Sequence, residues 1–167
     1  MKRVNLLAAG MLALGQILPG AAAAVTVSGS TVDFTFDDRV LSLFGAASVT
    51  GDTLFFAPTQ FSIKTSGADG INLANESFNV RVTAHAGYEF DSLDLQERGD
   101  YLLYGTGGMV AVAGQIRAFD IAAPQVDVTG SIAATAPLTT VGMPTHNWTA
   151  TATADVSTLG ARTLSVT

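Results

Sequence analysis

Residues 147–156 read NWTATATADV, and their order decides the fold class. Trp148, Ala150, Ala152, Ala154 and Val156 take alternate places, with Asn147, Thr149, Thr151, Thr153 and Asp155 between them. A repeat of two belongs to an extended strand with one apolar and one polar face, whereas a helix repeats every 3.6 residues. The same pattern appears in other stretches. Val32, Phe34 and Phe36 alternate with Asp33, Thr35 and Asp37; Phe78, Val80, Val82 and Ala84 alternate with Asn79, Arg81, Thr83 and His85. Val126, Val128, Gly130 and Ile132 alternate with Gln125, Asp127, Thr129 and Ser131, and Leu164 and Val166 begin a further strand.

Turn chemistry punctuates these runs. SVTGDTLFF (residues 48–56) predicts a hairpin turning at Gly51-Asp52. Phe61 and Ile63 extend the apolar face past Pro58, and TSGADG (65–70) is a loop. In YEFDSLDL (88–95) the apolar phase slips from even to odd positions, which predicts a bulge near Asp91-Ser92. A tight turn is expected at ERGD (97–100), then DYLLYG, a glycine-rich link at 105–108 and a long strand from Met109 to Ile121. About nine or ten short strands with turns between them predict an all-β fold, an antiparallel, jelly-roll-like β-sandwich. The late strands are lined by Ala and Gly, so large partners are expected opposite them, with the early phenylalanines as candidates.

Lys2 and Arg3 precede an apolar run, VNLLAAGMLALGQIL (4–18), which Pro19-Gly20 ends ahead of Ala21–Ala24. Basic end, apolar core and small residues are the layout of a secretory signal peptide helix. The expected division is a signal peptide over 1–24, cut after Ala23 or Ala24, and one β-sandwich domain over 25–167. The apolar run is shorter than the roughly twenty residues of a membrane helix, which weighs against an uncleaved anchor, so no stable span is expected after cleavage. Removing 24 of 167 residues leaves 143, enough for a sizeable core. Six Lys/Arg then face fourteen Asp/Glu, a formal charge of −8 against −6 for the whole chain. Such an acidic surface argues against nucleic acid as a partner. The chain has no cysteine, which excludes disulfides, thiolate metal sites and cysteine nucleophiles.

Signals for catalysis are sparse, and no enzyme activity is expected. No G-x-S-x-G elbow occurs. His85 falls on the polar side of its strand and His146 in a loop after Pro144; neither has a second histidine at metal-ligand spacing, and both read as solvated surface residues. Two acidic groups are weak candidates for calcium: Asp33, Asp37 and Asp38 around one strand end, and Asp91 and Asp94, with Glu97 and Asp100, around the following bend. Neither has EF-hand or nonapeptide spacing, and solvated turn acids are the preferred reading of both. Trp148 shares the phase of its strand's Ala and Val and reads as core. Tyr101 and Tyr104 must point to opposite faces, so one is a surface ring available to a sugar. Asn75-Glu76-Ser77 and Asn147-Trp148-Thr149 are glycan sequons that in a bacterial product are coincidental.

TVDFTFDD (31–38), GDTLFFAPTQF (51–61), VTAHAGYEFDSLDLQERGDYLLYG (82–105) and GGMVAVAGQIRAFD (107–120) together resemble secreted PEP-CTERM family exoproteins of Gram-negative bacteria. The resemblance implies general secretory export, sorting at the cell envelope, and association with exopolysaccharide and biofilm matrix. It carries over no site residues. The family's Pro-Glu-Pro motif, apolar helix and basic terminus do not occur in this sequence, so it reads as a fragment continuing past Thr167 or as a relative without the tail. The expected function is an exported, non-catalytic protein of the envelope or extracellular matrix, its partners polysaccharide or envelope components. The alternative is a calcium-stabilised carbohydrate-binding module; otherwise no cofactor is expected.

Overall fold

The computed structural model describes residues 23–58, 61–66, 70–105 and 107–167. The apolar run of the expected signal peptide lies outside them. Within them the chain is nearly all-β and sandwich-like: a large antiparallel sheet curls into a half-barrel, and a small hairpin sheet lies beside it. The strands are β1 (Ala24–Ser28), β2 (Val32–Asp37), β3 (Ala47–Thr50), β4 (Thr53–Phe56), β5 (Val80–Ala84), β6 (Ser92–Tyr101), β7 (Ala113–Asp120), β8 (Asp127–Ala134), β9 (His146–Asp155) and β10 (Thr163–Val166). The eight strands of the large sheet run β1-β2-β5-β10-β7-β8-β9-β6, and β3 pairs with β4. One short helix, α1 (Val40–Phe44), joins β2 to β3.

Alternation becomes burial wherever it was cleanest. Val32, Phe34 and Phe36 of β2 point inward, as do Val80, Val82 and Ala84 of β5 and Ala150, Ala152 and Ala154 of β9. Register lines these positions up across the sheet: Phe34 stands opposite Val82, and Val82 opposite Leu164. Leu164 is fully buried, which stabilises by roughly 1.5–3 kcal/mol. The β3–β4 hairpin turns at Gly51-Asp52, where Gly51 adopts φ 60°.

The core has three parts. Val32, Phe34, Phe36, Val80 and Val82 pack under the β3–β4 hairpin and α1. There Phe36, Phe44, Phe56 and Phe78 form an aromatic group with ring centroids 4.6–6.0 Å apart. A second part joins Ile116, Ala118, Ile132, Leu164, Val156 and the β9 alanines. A third, of Tyr101, Leu103 and Leu138, lies where the segments after β6 and after β8 meet, with a bridge from Leu103 to Val141. Contrary to expectation, the phenylalanines of β2 do not pack against the alanines of β9: the strand order sets β9 five strands away, and the two groups belong to separate clusters. Leu93, Leu95 and Trp148 pack against the cluster that holds the alanines, and Phe90 packs against both of the larger clusters.

Four local expectations are corrected. Glu97–Asp100 is not a turn: β6 runs unbroken through it, paired residue for residue with β9 from Ser92↔Asp155 to Tyr101↔His146. The phase that begins at Leu93 continues inward through Leu95, Glu97 and Gly99 to Tyr101, and ladder bonds to β9 hold ERGD extended. Phe61 and Ile63 lie outside any strand and are about half exposed, since no neighbouring strand takes up their backbone groups. The strand expected from Met109 begins only at Ala113, where β8 becomes available to pair. His146 is not in a loop but opens β9, where it is partly buried against the Tyr101 ring, centroids 5.6 Å apart.

Candidate functional site

The two acidic groups read from the sequence do not converge. Asp33 and Asp37 lie four residues apart along β2, about 13 Å in an extended strand, too far to share an ion. Each is engaged elsewhere. Arg39 donates a forked pair of hydrogen bonds to Asp37 from Nε and Nη2, the latter at 2.6 Å, and this guanidinium pulls the Asp37 pKa down to about 2. The Ser28 hydroxyl, then His85, hold Asp33 below the usual carboxylate range, and His85 Nε2 lies 3.1 Å from its Oδ1. Asp38 follows β2 and gives its N–H to Ala23 O. Asp91 lends its backbone carbonyl to Val156, while Asp94 accepts 2.6 Å from the Thr153 hydroxyl. Among the described residues, no three His, Asp or Glu side chains gather closely enough to hold a metal ion.

One acid that the sequence alone does not mark is tied to His85's neighbourhood. Asp52, at the tip of the β3–β4 hairpin, accepts from Thr31 N–H and Thr31 Oγ1, both at 2.7 Å. Those bonds lower its pKa and pin the small hairpin to the β1–β2 turn. The arrangement is a structural clasp.

Glu97 faces inward from β6, opposite Ala150, and burial raises its pKa. Its carboxylate has no ion pair or hydrogen bond among the described residues. Beside it the Trp148 indole lies over Gly99; a Cβ on Gly99 would sit 2.7 Å from the ring. Trp148 is therefore packed, partly buried, against the core, as its phase predicts. Tyr101 is buried, its Oη accepting from Thr140 N–H, while Tyr104 is 82 % exposed. Near this end a shallow cavity of about 380 Å³ is lined by Val110, Val112, Ala134, Pro137 and Leu138, with no acid or base among its lining residues.

The outward face of β6, β9 and β8 is of a different kind. Asp94, Gln96, Arg98 and Asp100 of β6 stand opposite Thr153, Thr151, Thr149 and Asn147 of β9. Across β9 lie Thr129, Ser131 and Ala133 of β8, with Thr151 opposite Ala133. All of these except Thr149 are exposed. Strands spaced about 4.8 Å apart, with same-face residues about 6.8 Å apart along each, set these groups on a regular lattice. Its members are hydroxyls, amides and charges; its inward counterparts are the apolar residues already described. The period-two reading of residues 147–156 locates one rank of the lattice. The β6 rank is invisible to it, because ERGD has the composition of a turn.

No family model, curated protein or solved structure matches the chain. Among the described residues no helix is long and apolar enough to cross a membrane.

Proposed function

We propose that the chain is an exported, non-catalytic protein of the cell envelope or extracellular matrix that works through its polar sheet face, docked on polysaccharide. The observation that supports this reading is the lattice on β6, β9 and β8: exposed Thr151, Thr153, Asn147 and Gln96 present hydroxyl and amide groups at fixed spacing. A hydroxylated polymer offers donors and acceptors in repeat, and a preformed array meets it with little loss of side-chain freedom, since Thr and Asn have few rotamers to lose. The face also carries Asp94, Asp100, Asp127 and Asp155 against Arg98 and Arg117, which favours neutral over acidic polymers.

β1 begins at Ala24, so a cut after Ala23 keeps all five of its residues and gives up only the bond from Asp38 N–H to the Ala23 carbonyl. This placement is compatible with removal of residues 1–23 on export. The calcium-stabilised alternative gains no support from the positions of its acids.

Affinity electrophoresis of the purified protein in gels containing cellulose derivative, chitosan or alginate tests the reading. Retardation by the neutral polymer, weakened tenfold or more in a Thr151→Val/Gln96→Leu variant of unchanged melting temperature, is the expected result. Free migration of the wild type in all three gels overturns the polysaccharide reading. Cell fractionation that leaves an uncut chain in the cytoplasm overturns export.

A further inference from the structure

The large sheet has two free edges, β1 and β6, and they differ in kind. The ladder between β1 and β2 is fixed by Asp38 N–H to Ala23 O and Gly29 N–H to Val32 O. With the register Val25↔Phe36 and Val27↔Phe34, the odd residues of β1 bond inward to β2. The backbone N–H and C=O groups of Ala24, Thr26 and Ser28 therefore point away from the sheet. None of these six groups has a backbone partner among the described residues. No charged residue, proline or bulge blocks this edge, the usual devices that keep a strand from pairing. The β3–β4 hairpin packs Val49 and Leu54 against the inner valines, and its bonds to the β1–β2 turn, from Ser30 N–H to Gly51 O and from Thr31 to Asp52, lie past the strand's end.

The β6 edge is guarded. Val156 N–H to Asp91 O sets its ladder, so Ser92, Asp94, Gln96, Arg98 and Asp100 carry the outward backbone groups. Three of those five are charged, with Asp94 bound to Thr153 and Arg98 to Gln96.

We propose that β1 is the pairing edge of a symmetric dimer, two copies joining antiparallel about Thr26 so that the sheet of one continues into the sheet of the other. The five residues are self-complementary in this register. Thr26 meets Thr26 of the partner subunit on the two-fold axis, and Ala24 meets Ser28 of the partner subunit. The outward groups of each strand then satisfy those of the other, which is the requirement of an isologous interface. On the inner side Val25 comes opposite Val27 of the partner subunit, extending the valine row already packed on β2. On the outer side only small hydroxyl and methyl groups meet. The nearest like charges are Asp33 and Asp37 of the partner subunit, three strand spacings or about 14 Å apart. At physiological salt that exceeds the screening length of about 8 Å, so the acidic chain does not oppose the contact. Thr26 is prepared for it, since its Oγ1 is held 2.9 Å from Thr35 Oγ1.

Light scattering coupled to size exclusion tests the proposal on protein purified from the full reading frame, over a hundredfold range of concentration. The expected mass is two chains at high concentration. Thr26→Lys sets two ammonium groups face to face on the axis and should return one chain; Gln96→Lys, on the other edge, should leave two. Amide hydrogen exchange gives a second readout on the unmodified protein: Thr26 and Ser28 should slow about tenfold or more as concentration rises through the dissociation range. One-chain mass for the wild type throughout, a two-chain mass broken by Gln96→Lys but not by Thr26→Lys, or an open series of larger species overturns it.

Discussion

Gly99 has no side chain because its neighbour's needs the room. It stands opposite Trp148, and a Cβ there would meet Cε2, Cζ2 and Nε1 of the indole at 2.7 Å. Gly130 is tighter, a Cβ there running into the backbone oxygen of Thr153, while Gly114 would meet only the movable Cδ1 of Ile132 at 2.9 Å. Alanine at each position should therefore destabilise in the order Gly130, Gly99, Gly114. About 1–3 kcal/mol is expected at Gly99, and more where the obstacle is backbone that cannot swing aside. Urea midpoints of the three variants check the order, and a Gly114→Ala loss equal to that of Gly130→Ala would contradict it. Glu97 gives a second residue-scale expectation. Burial raises its folded pKa above its unfolded one, so the native state binds more protons between the two values, and stability falls as pH rises through that interval from about 4.5. Asp33, Asp37, Asp52 and Asp155 act in the opposite sense: hydrogen bonds lower their folded values, so their contribution is complete above about pH 4 and is lost as pH falls toward 2. Thermal melts from pH 2 to 7 should show a maximum between these regimes. Glu97→Gln should flatten only the upper limb. Neither role is legible in the sequence, where Glu97 and Gly99 sit in ERGD, a turn by composition. What holds them in a strand is β9, about fifty residues away in the chain.

At the scale of elements, the alternating runs were legible because one face of each strand meets the core: β2, β5, β8 and β9 appear where period two places them. The pattern fails where apolar residues alternate without a neighbour to bond, as at Phe61 and Ile63. β10 shows how far a short element depends on its neighbours. Leu164 and Val166 bond to β5, while Thr163, Ser165 and Thr167 bond to β7, as Ala84 N–H to Arg162 O and Thr167 N–H to Arg117 O show. Ser165 is buried, its hydroxyl accepting from Asn79 Nδ2 at 2.7 Å. Ser165→Pro removes a ladder donor from a central strand, costing about 3 kcal/mol or more, and should abolish cooperative unfolding by circular dichroism. Ser165→Ala, which keeps the ladder and removes one of the two acceptors of Asn79 Nδ2 while Thr167 Oγ1 remains, should cost only about 1 kcal/mol and leave the transition sharp. Equal effects of the two would show that the ladder is not what matters there.

For the whole molecule, composition and periodicity led to the all-β class but not to strand order, since pairing partners 50 to 80 residues apart leave no local trace. Trp148 as core and the split between buried Tyr101 and exposed Tyr104 were legible, because phase alone decides them. The polar lattice was half legible, one rank being visible in residues 147–156 and the other hidden by its composition. Sheet order carries a consequence in time. β1, β2 and β5 form one wing and β7, β8, β9 and β6 the other, and the strand that joins them, β10, follows all of these in sequence. A ribosome delivers residues 163–166 after both wings have emerged. Until then the inner faces of β5 and β7 are unpaired edges awaiting the same short segment, and non-local pairing of this kind is slow. Closure of the large sheet is thus deferred until residues 163–166 have emerged, and a chain that has delivered only the two wings stays open between them.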